Sequence, residues 1–224
     1  MKTIDQGSTR CRGLLEQRGF SFWPEERLEE VLEVKQTRPD FFVKTALGTK
    51  FLVEVNAFEK ELNGPSLGLA QIDFKQGHKR VRNAILEAAK QLRPYAEDSL
   101  PLVILMDNWN MVWLEGSVGT LLDAVFGEVV HLVPVPESDA SRHPQIRCTR
   151  RDGVLNARHK TYISAVAWNL PQAHLENEST NVLFPMRVRL VHNPYAVVPL
   201  SRQVFVHTQD EQFGLDLHGR LIDL

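Results

Sequence analysis

The stretch DFFVKTALGTKFLVEVN, residues 40–56, decides the fold of this chain. Two runs rich in aromatic and β-branched residues flank a central TALGT, in which Gly48 can adopt the positive φ that a tight reversal needs. This pattern predicts a β-hairpin whose strands cover 40–44 and 51–56.

The hairpin places two carboxylates where a metal ion can bind. Side chains alternate between the two faces of a strand, so Glu54 and Asn56 share one face. In the paired register Asp40 lies beside Glu54, and two carboxylates on adjacent strands form an oxygen-rich site suited to Mg²⁺ or Mn²⁺. Such an ion polarises a phosphoryl oxygen and activates a water, which is the chemistry of phosphodiester hydrolysis.

The segments before the hairpin predict a helix and a short strand. A helix is expected over 8–18, where Gly19 can end it. The alternating stretch FSFW at 20–23 predicts a short strand that the following proline ends. The segment 25–37 mixes helical spacing with strand-forming residues, so it receives no assignment.

The segments after the hairpin complete an α/β order. Apolar residues recur at helical spacing from Val81 to Leu92, which predicts an amphipathic helix of about five turns. The continuous apolar run LPLVILMD predicts a strand buried on both faces, and EVVHLVPV is a weaker run of the same kind. TYISAVAWNL and MRVRLVHN predict two further strands. A succession of strand, strand, helix and strand is typical of the α/β class.

Length and composition indicate one domain with an extension. The chain has 224 residues, of which 43% are hydrophobic and 24% charged, and these values are ordinary for a globular protein. We expect a core over 1–134 and C-terminal strands over 163–224 that pack on the same domain. Between them, residues 135–162 are rich in Pro, Ser, Asp and Arg, which predicts a basic surface connection.

Several classes of protein are disfavoured by the sequence. No long apolar run suggests a membrane span, and the amino terminus lacks a continuous apolar stretch of signal-peptide length. We therefore expect a cytoplasmic protein without a membrane partner. Cys11 and Cys148 are isolated thiols without Cys or His partners at metal spacing, which argues against a disulfide framework or a zinc site.

Nucleic-acid binding would depend on local basic patches, because a net charge of −2 gives no general attraction to polyanions. Two segments, 73–93 and 142–160, carry an excess of Lys and Arg. A solvated helix face and a solvated loop explain these charges as well as phosphate contacts do. The residues expected to contact nucleic acid are Lys79, Arg82, Arg147, Arg150, Arg151 and Arg158.

Pro39-Asp40 and Glu54-Val55-Asn56, followed by a helix and a buried strand, form a pattern that resembles the PD-(D/E)XK nuclease superfamily. The resemblance implies an α/β, restriction-endonuclease-like core, with a mixed central sheet flanked by helices and, in this chain, a C-terminal β extension. It implies that the carboxylates of Asp40 and Glu54 and the backbone carbonyl of Val55 hold the metal. Asn56 stands where the superfamily has a lysine that helps to position the attacking water.

Segments outside the hairpin extend this resemblance. QGHKRVRNAILEAAKQL, LPLVIL, SAVAW and HNPYAVVPL are similar to segments of poorly characterised bacterial proteins of the same superfamily. Gln91 and Tyr95 have the Q-x-x-x-Y spacing of its RecB-like branch, which adds Gln91 to the candidate catalytic residues. Pro94 lies between them and interrupts the helix that gives this spacing its meaning.

Two parts of the site stay open at the level of sequence. The missing lysine can be replaced from the following helix, where Lys75 is the first candidate and Lys79 the second. The upstream acidic residue that often completes such sites can be Glu16, Glu25 or Glu26, and the sequence does not choose among them.

Two functions follow from these observations. The first is a Mg²⁺-dependent endonuclease that hydrolyses phosphodiester bonds of DNA. The second is a catalytically inactive nuclease-fold module that binds nucleic acid or a protein partner. Asn56 favours the second function, and a homodimer is compatible with either.

Overall fold

The fold is described from a computed structural model that covers most of the chain. The described residues are 6–58, 74–107, 118–132, 147–171, 186–208, 210–216 and 221–224. Within them the helices are α1 (Gln6–Gln17), α2 (Phe74–Leu92) and α3 (Val118–Phe126). The strands are β1 (Ser21–Pro24), β2 (Phe41–Lys44), β3 (Lys50–Ala57), β4 (Leu102–Asp107), β5 (Gly127–Leu132), β6 (Arg147–Asp152), β7 (Ile163–Pro171), β8 (Met186–His192), β9 (Glu211–Leu215) and β10 (Leu221–Asp223).

Eight of these strands form one mixed sheet in the order β1-β2-β3-β4-β7-β8-β9-β10. The first three pair antiparallel, and α2 then carries the chain over one face to β4, which pairs parallel to β3. Strand β7 is parallel to β4, and the sheet continues through antiparallel β8. The predicted α/β class, a mixed central sheet flanked by helices and extended by C-terminal strands, is confirmed.

The predicted hairpin is present as β2 and β3. Phe41 is paired with Val53 and Lys44 with Lys50, in an antiparallel register. At the reversal, Gly48 has a φ of 85°, and its N–H donates to the carbonyl of Thr45 at 2.9 Å. Glycine adopts this left-handed conformation without the steric cost that a Cβ would bring.

The sheet separates two apolar cores. On one face α1 packs Leu14 and Leu15 against alternate residues of β3 and β4, among them Val53. On the other face α2 packs Val81 and its neighbours against the intervening residues, among them Leu52. Because β3 sends successive side chains to opposite faces, both helices contribute to burying the same strand.

The carboxyl-terminal half differs from the predicted organisation. Residues 147–152, expected within a surface connection over 135–162, form β6, which pairs antiparallel with β5 in a separate two-stranded sheet. Residues 133–146 lie outside the described part. The connection was expected because the stretch is rich in Pro, Ser, Asp and Arg, but arginines of a two-stranded sheet can face solvent or a neighbouring acid. Helix α3 received no assignment from the sequence.

Two further elements refine the expectations for the amino-terminal part. Helix α1 covers Gln6–Gln17, close to the predicted 8–18, and the unassigned segment begins with a 3₁₀ turn over Glu25–Glu30. None of the described helices has both the length and the apolar surface that crossing a membrane requires.

Candidate active site

Asp40 and Glu54 lie side by side on adjacent strands. The last pair of the β2–β3 ladder joins Phe41 to Val53, so the next position places Asp40 opposite Glu54. The Oδ2 atom of Asp40 accepts a hydrogen bond from the backbone N–H of Val55 at 2.7 Å. This bond ties the carboxylate of Asp40 to the strand that carries Glu54. The structure therefore brings together the three residues predicted to hold a metal.

The carboxyl group of Glu54 is held in an environment that disfavours its charge. Its pKa is raised to about 9, chiefly by burial and next by the negative charge of Asp40, while a backbone hydrogen bond from Asp40 opposes the shift. The Oε2 atom is buried and has no hydrogen-bond partner among the described residues. At neutral pH, without a bound cation, Glu54 therefore keeps its proton.

The structure distinguishes the three upstream acidic candidates. Glu25, in the 3₁₀ turn after β1, is close enough for its charge to raise the pKa of Glu54. Glu16 is exposed on α1, and Glu26 is exposed and lies 3.6 Å from the guanidinium of Arg12. Glu25 is therefore the upstream acid that the geometry favours.

These carboxyl groups fit a hydrated divalent cation. A cation near Oε2 of Glu54 would replace a proton and satisfy an acceptor that the fold leaves unpaired. Mg²⁺ is commonly held by one or two carboxylates and keeps several of its waters, so Asp40 and Glu54 supply a sufficient charge. Within the described residues no group of three or more His, Cys, Asp and Glu side chains is arranged to hold a metal ion.

A second buried carboxylate, Asp107 at the end of β4, provides a contrast with Glu54. Asp107 accepts hydrogen bonds from Nε of Arg10 at 2.8 Å and from the side-chain amide of Asn169 at 3.0 Å. The two carboxyls lie on opposite faces of the sheet, because Asp107 has the strand parity of the α1 face and Glu54 that of the α2 face. Asp107 is compensated by the largely buried guanidinium of Arg10, which forms a structural ion pair with it. Among the described residues, the charges that act on Glu54 are those of Asp40 and Glu25, and both are negative.

The position of the motif lysine is filled by Asn56, on the same face of β3 as Glu54. Its partner in the parallel ladder is Met106. Lys75 lies in the first turn of α2, and its side chain is outside the described part. Lys79 is exposed on the same helix. Replacement of the motif lysine by Lys75 or by Lys79 stays a prediction.

Two residues of α2 that sequence reasoning missed lie toward this end of the sheet. The guanidinium of Arg80 stacks over the ring of Phe58, which follows β3, at 5.1 Å. The Nε2 atom of His78 is buried and has no hydrogen-bond partner in the described part of the chain. The signal in the sequence is the spacing of His78 from Val81 and Ile85, which places this histidine on the apolar stripe of the helix.

Gln91 lies in the last turn of α2, where its side chain is exposed. Its backbone carbonyl accepts the hydroxyl of Thr37 at 2.6 Å. Tyr95 is buried, and its hydroxyl donates to the carbonyl of Thr37 at 2.6 Å. The α-helix ends at Leu92, before Pro94, and a 3₁₀ turn covers Arg93–Tyr95. Tyr95 thus anchors the segment before β2, and a catalytic role for Gln91 stays a prediction.

The residues predicted to contact nucleic acid occupy different settings. Arg150 is largely buried, lies 3.3 Å from a carboxylate oxygen of Asp123 and donates to the carbonyl of Gly127 at 2.9 Å. This arginine therefore joins β6 to α3 and β5. The side chains of Arg147 and Arg151 are outside the described part. Lys79 and Arg158 are exposed, and Arg82 is half-buried.

Comparison with known proteins adds little to this geometry. No protein-family model matches the chain. No curated protein matches it either. Among solved structures it is similar to SfsA of Pyrococcus furiosus in complex with Ca²⁺, at 17% identity and a TM-score of 0.22. The match covers 44% of this chain and 36% of that one. A likeness of this extent carries no argument about the site.

Proposed function

We propose that this protein is a Mg²⁺-dependent endonuclease that hydrolyses phosphodiester bonds of DNA. The observation that carries the proposal is the largely buried carboxyl group of Glu54 beside Asp40 on an adjacent strand, whose Oε2 atom has no hydrogen-bond partner in the described part of the chain. Keeping an uncompensated carboxyl in this position is unfavourable for the fold alone. Strongly perturbed carboxyls with a like-charged neighbour are more frequent at functional sites than elsewhere.

Each residue of the site has a distinct task in this proposal. Asp40 and Glu54 would hold the cation, the carbonyl of Val55 would complete the protein ligands, and Glu54 would lose its proton to solvent on cation binding. A divalent cation held there would supply Lewis-acid polarisation of a phosphate oxygen. The amide of Asn56 shares the face of Glu54 and can orient a water by hydrogen bonding.

The alternative is a nuclease-fold module that binds nucleic acid or a protein partner without cutting. The observation that favours it is Asn56, because an amide carries no charge to place beside the attacking oxygen and the phosphate. Lys75 could supply that charge from the start of α2. Its contribution distinguishes the two functions.

A plasmid-nicking assay with Mg²⁺ tests the proposal. We expect the wild type to nick supercoiled DNA, chelator to stop it, and Glu54→Gln to reduce the rate about 100-fold or more, since cation binding contributes several kcal/mol to such reactions. Glu128→Gln is the matched control, because Glu128 is exposed on β5 and lies in the separate two-stranded sheet. Absence of metal-dependent nicking by the folded wild type would leave the binding module.

A further inference from the structure

A basic groove opens at the carboxyl-terminal end of α2. One wall is formed by the end of this helix and the 3₁₀ turn that follows, and the other by the segment 156–162. The groove encloses about 960 Å³. The residues that define its character are Lys90, Arg93, Arg158, His159, Lys160 and Tyr162.

The charge of this basic groove is strongly unbalanced. Four lysines and arginines line it, and Glu97 is the one acidic residue among its lining side chains. Lys90 also forms an exposed ion pair with Glu87 at 2.6 Å, which leaves Arg93, Arg158 and Lys160 as the main source of the excess charge. Burial lowers the pKa of Lys160, and the charges of Arg82, Lys90 and Arg93 lower it further. These cations are therefore close enough to repel one another. A fold that gathers them has an unfavourable electrostatic energy, which a bound anion would relieve.

The wall that carries Arg158 and Lys160 is a constrained turn. The side-chain oxygen of Asn156 accepts the backbone N–H groups of Arg158 at 2.9 Å and His159 at 3.1 Å. Asn156 and His159 also form an isolated antiparallel bridge. The hydroxyl of Tyr162 donates to the carbonyl of Ala89 at 3.0 Å, which fastens this wall to α2.

Lys160 itself has a left-handed backbone, with a φ of 54°. This conformation costs a residue with a Cβ about 1 kcal/mol or more, and such positions are concentrated at functional sites. The hydrogen bond from Ile163 N–H to the Lys160 carbonyl, at 3.0 Å, holds it in place. The left-handed backbone of Lys160 and the excess of positive charge together favour a specific binding site over a solvated run of charges.

We propose that the basic groove binds the phosphate backbone of the DNA on which this protein acts, at a position separate from the Asp40 and Glu54 carboxylates. The identity of the polyanion rests on the proposed function. Arg80, which lies over the ring of Phe58 just after β3, and Arg93, in the groove, are separated by thirteen residues along the sequence, which is about 20 Å at the rise of an α-helix. A backbone lying along α2 would contact both places.

The dimensions agree with a polymer more than with a single phosphate. Small-molecule sites usually enclose about 300 to 1,000 Å³, so this groove lies at the upper end of that range and exceeds what one phosphate needs. The cationic side chains lie on both walls of the groove. This arrangement would let them contact successive phosphates of one backbone. Backbone contacts of this kind are insensitive to sequence and fix the position of the duplex.

Fluorescence anisotropy with labelled duplex DNA in chelator tests the proposal without requiring cleavage. We expect Arg93→Gln/Lys160→Gln to weaken binding and to reduce the slope of log affinity against log salt by about 1.8, since each lost phosphate contact removes about 0.9. A second double variant, Lys90→Gln/Arg158→Gln, should show the same weaker binding and the same reduction of the slope. Its side chains are exposed, so this variant tests the groove even where the first one fails to fold.

The charge-matched control is Lys44→Gln/Lys50→Gln, because these lysines are exposed and pair across the hairpin outside the groove lining. Equal slopes for wild type and groove variants, an equal loss in the control, or no duplex binding by the wild type would overturn the proposal. Displacement of the duplex by ATP at equal phosphate concentration would also overturn it in favour of a nucleotide site. Slopes that fall as expected while no variant nicks plasmid would retain the groove and reject the enzyme.

Discussion

The Oδ2 atom of Asp40 accepts the backbone N–H of Val55 at 2.7 Å, and these residues lie one and two positions beyond Phe41 and Val53, the last residue pair of the β2–β3 ladder. A side chain thus provides the hydrogen bond that a further backbone pair would have made. Asp40 therefore has two tasks, because it closes the hairpin and places a negative charge beside Glu54. Substitutions at this position need to separate the two tasks.

Asp40→Asn should weaken the binding of Mg²⁺ or Mn²⁺ and leave the fold intact. The amide oxygen can still accept the N–H of Val55, whereas the charge that attracts the cation is lost. Because ligand charge sets the affinity of such sites, we expect the dissociation constant to rise about tenfold or more in calorimetric titration. Glu128→Gln should titrate as the wild type does, since its side chain is exposed outside the site. An unchanged isotherm in Asp40→Asn would remove this pair of strands from the metal site.

The free energy of unfolding should depend on pH through Glu54. Its pKa is about 9 in the folded protein and near the ordinary value when unfolded. Between these values the unfolded chain binds fewer protons than the folded chain, so stability falls as pH rises, by at most roughly 1.4 kcal/mol for each pH unit. Glu54→Gln removes this dependence, and it should be more stable than the wild type at about pH 8 and similar to it at about pH 4.

Urea denaturation at these pH values, in chelator, measures the effect of Glu54. The comparison with Glu128→Gln removes the general influence of losing one carboxylate. A wild type whose stability does not fall from acid to mildly alkaline pH relative to Glu54→Gln would mean that the buried carboxyl is already compensated. In that case the proposal that Glu54 binds a cation would lose its physical basis.

The sequence predicts those features of the fold and of the site that depend on residues close together in the chain. The hairpin is predicted because alternation along β3 and the glycine at position 48 act within a few residues. The burial of Glu54 is not predictable in this way, because it depends on α2 covering that face of the sheet. The same holds for the contact of Arg150 with Asp123, which depends on β6 lying beside α3. Both features arise from contacts between residues far apart in the chain.

The buried pair of Arg10 and Asp107 should be essential for stability. Arg10→Met leaves a buried carboxylate without its cation, which typically costs about 3 to 5 kcal/mol. Urea denaturation measures this loss. The control is Arg27→Met, which breaks an exposed pair with Glu30 on a 3₁₀ turn and should change the midpoint little. Equal midpoints for the two variants would show that Asn169 and other neighbours already satisfy Asp107.

Asn56→Lys should create or raise Mg²⁺-dependent nicking of plasmid DNA. The substitution restores an ammonium on the face of β3 that carries Glu54, where a preorganised charge can stabilise the phosphate and the attacking oxygen. Glu54→Gln on this background should abolish the gain, because the cation would no longer be held. Lys75→Ala in the otherwise natural sequence should reduce cutting only where Lys75 already supplies the charge.

Asn83→Lys controls for a general increase in positive charge, since Asn83 is exposed on α2. It should strengthen DNA binding slightly and leave nicking unchanged. Strong nicking by the wild type that Lys75→Ala lowers, with little gain in Asn56→Lys, would identify an enzyme whose lysine has moved to α2. When circular dichroism shows that all variants are folded and none nicks DNA in the presence of metal, the carboxylates no longer support catalysis. That outcome would reject the endonuclease and leave the binding module as the remaining proposal.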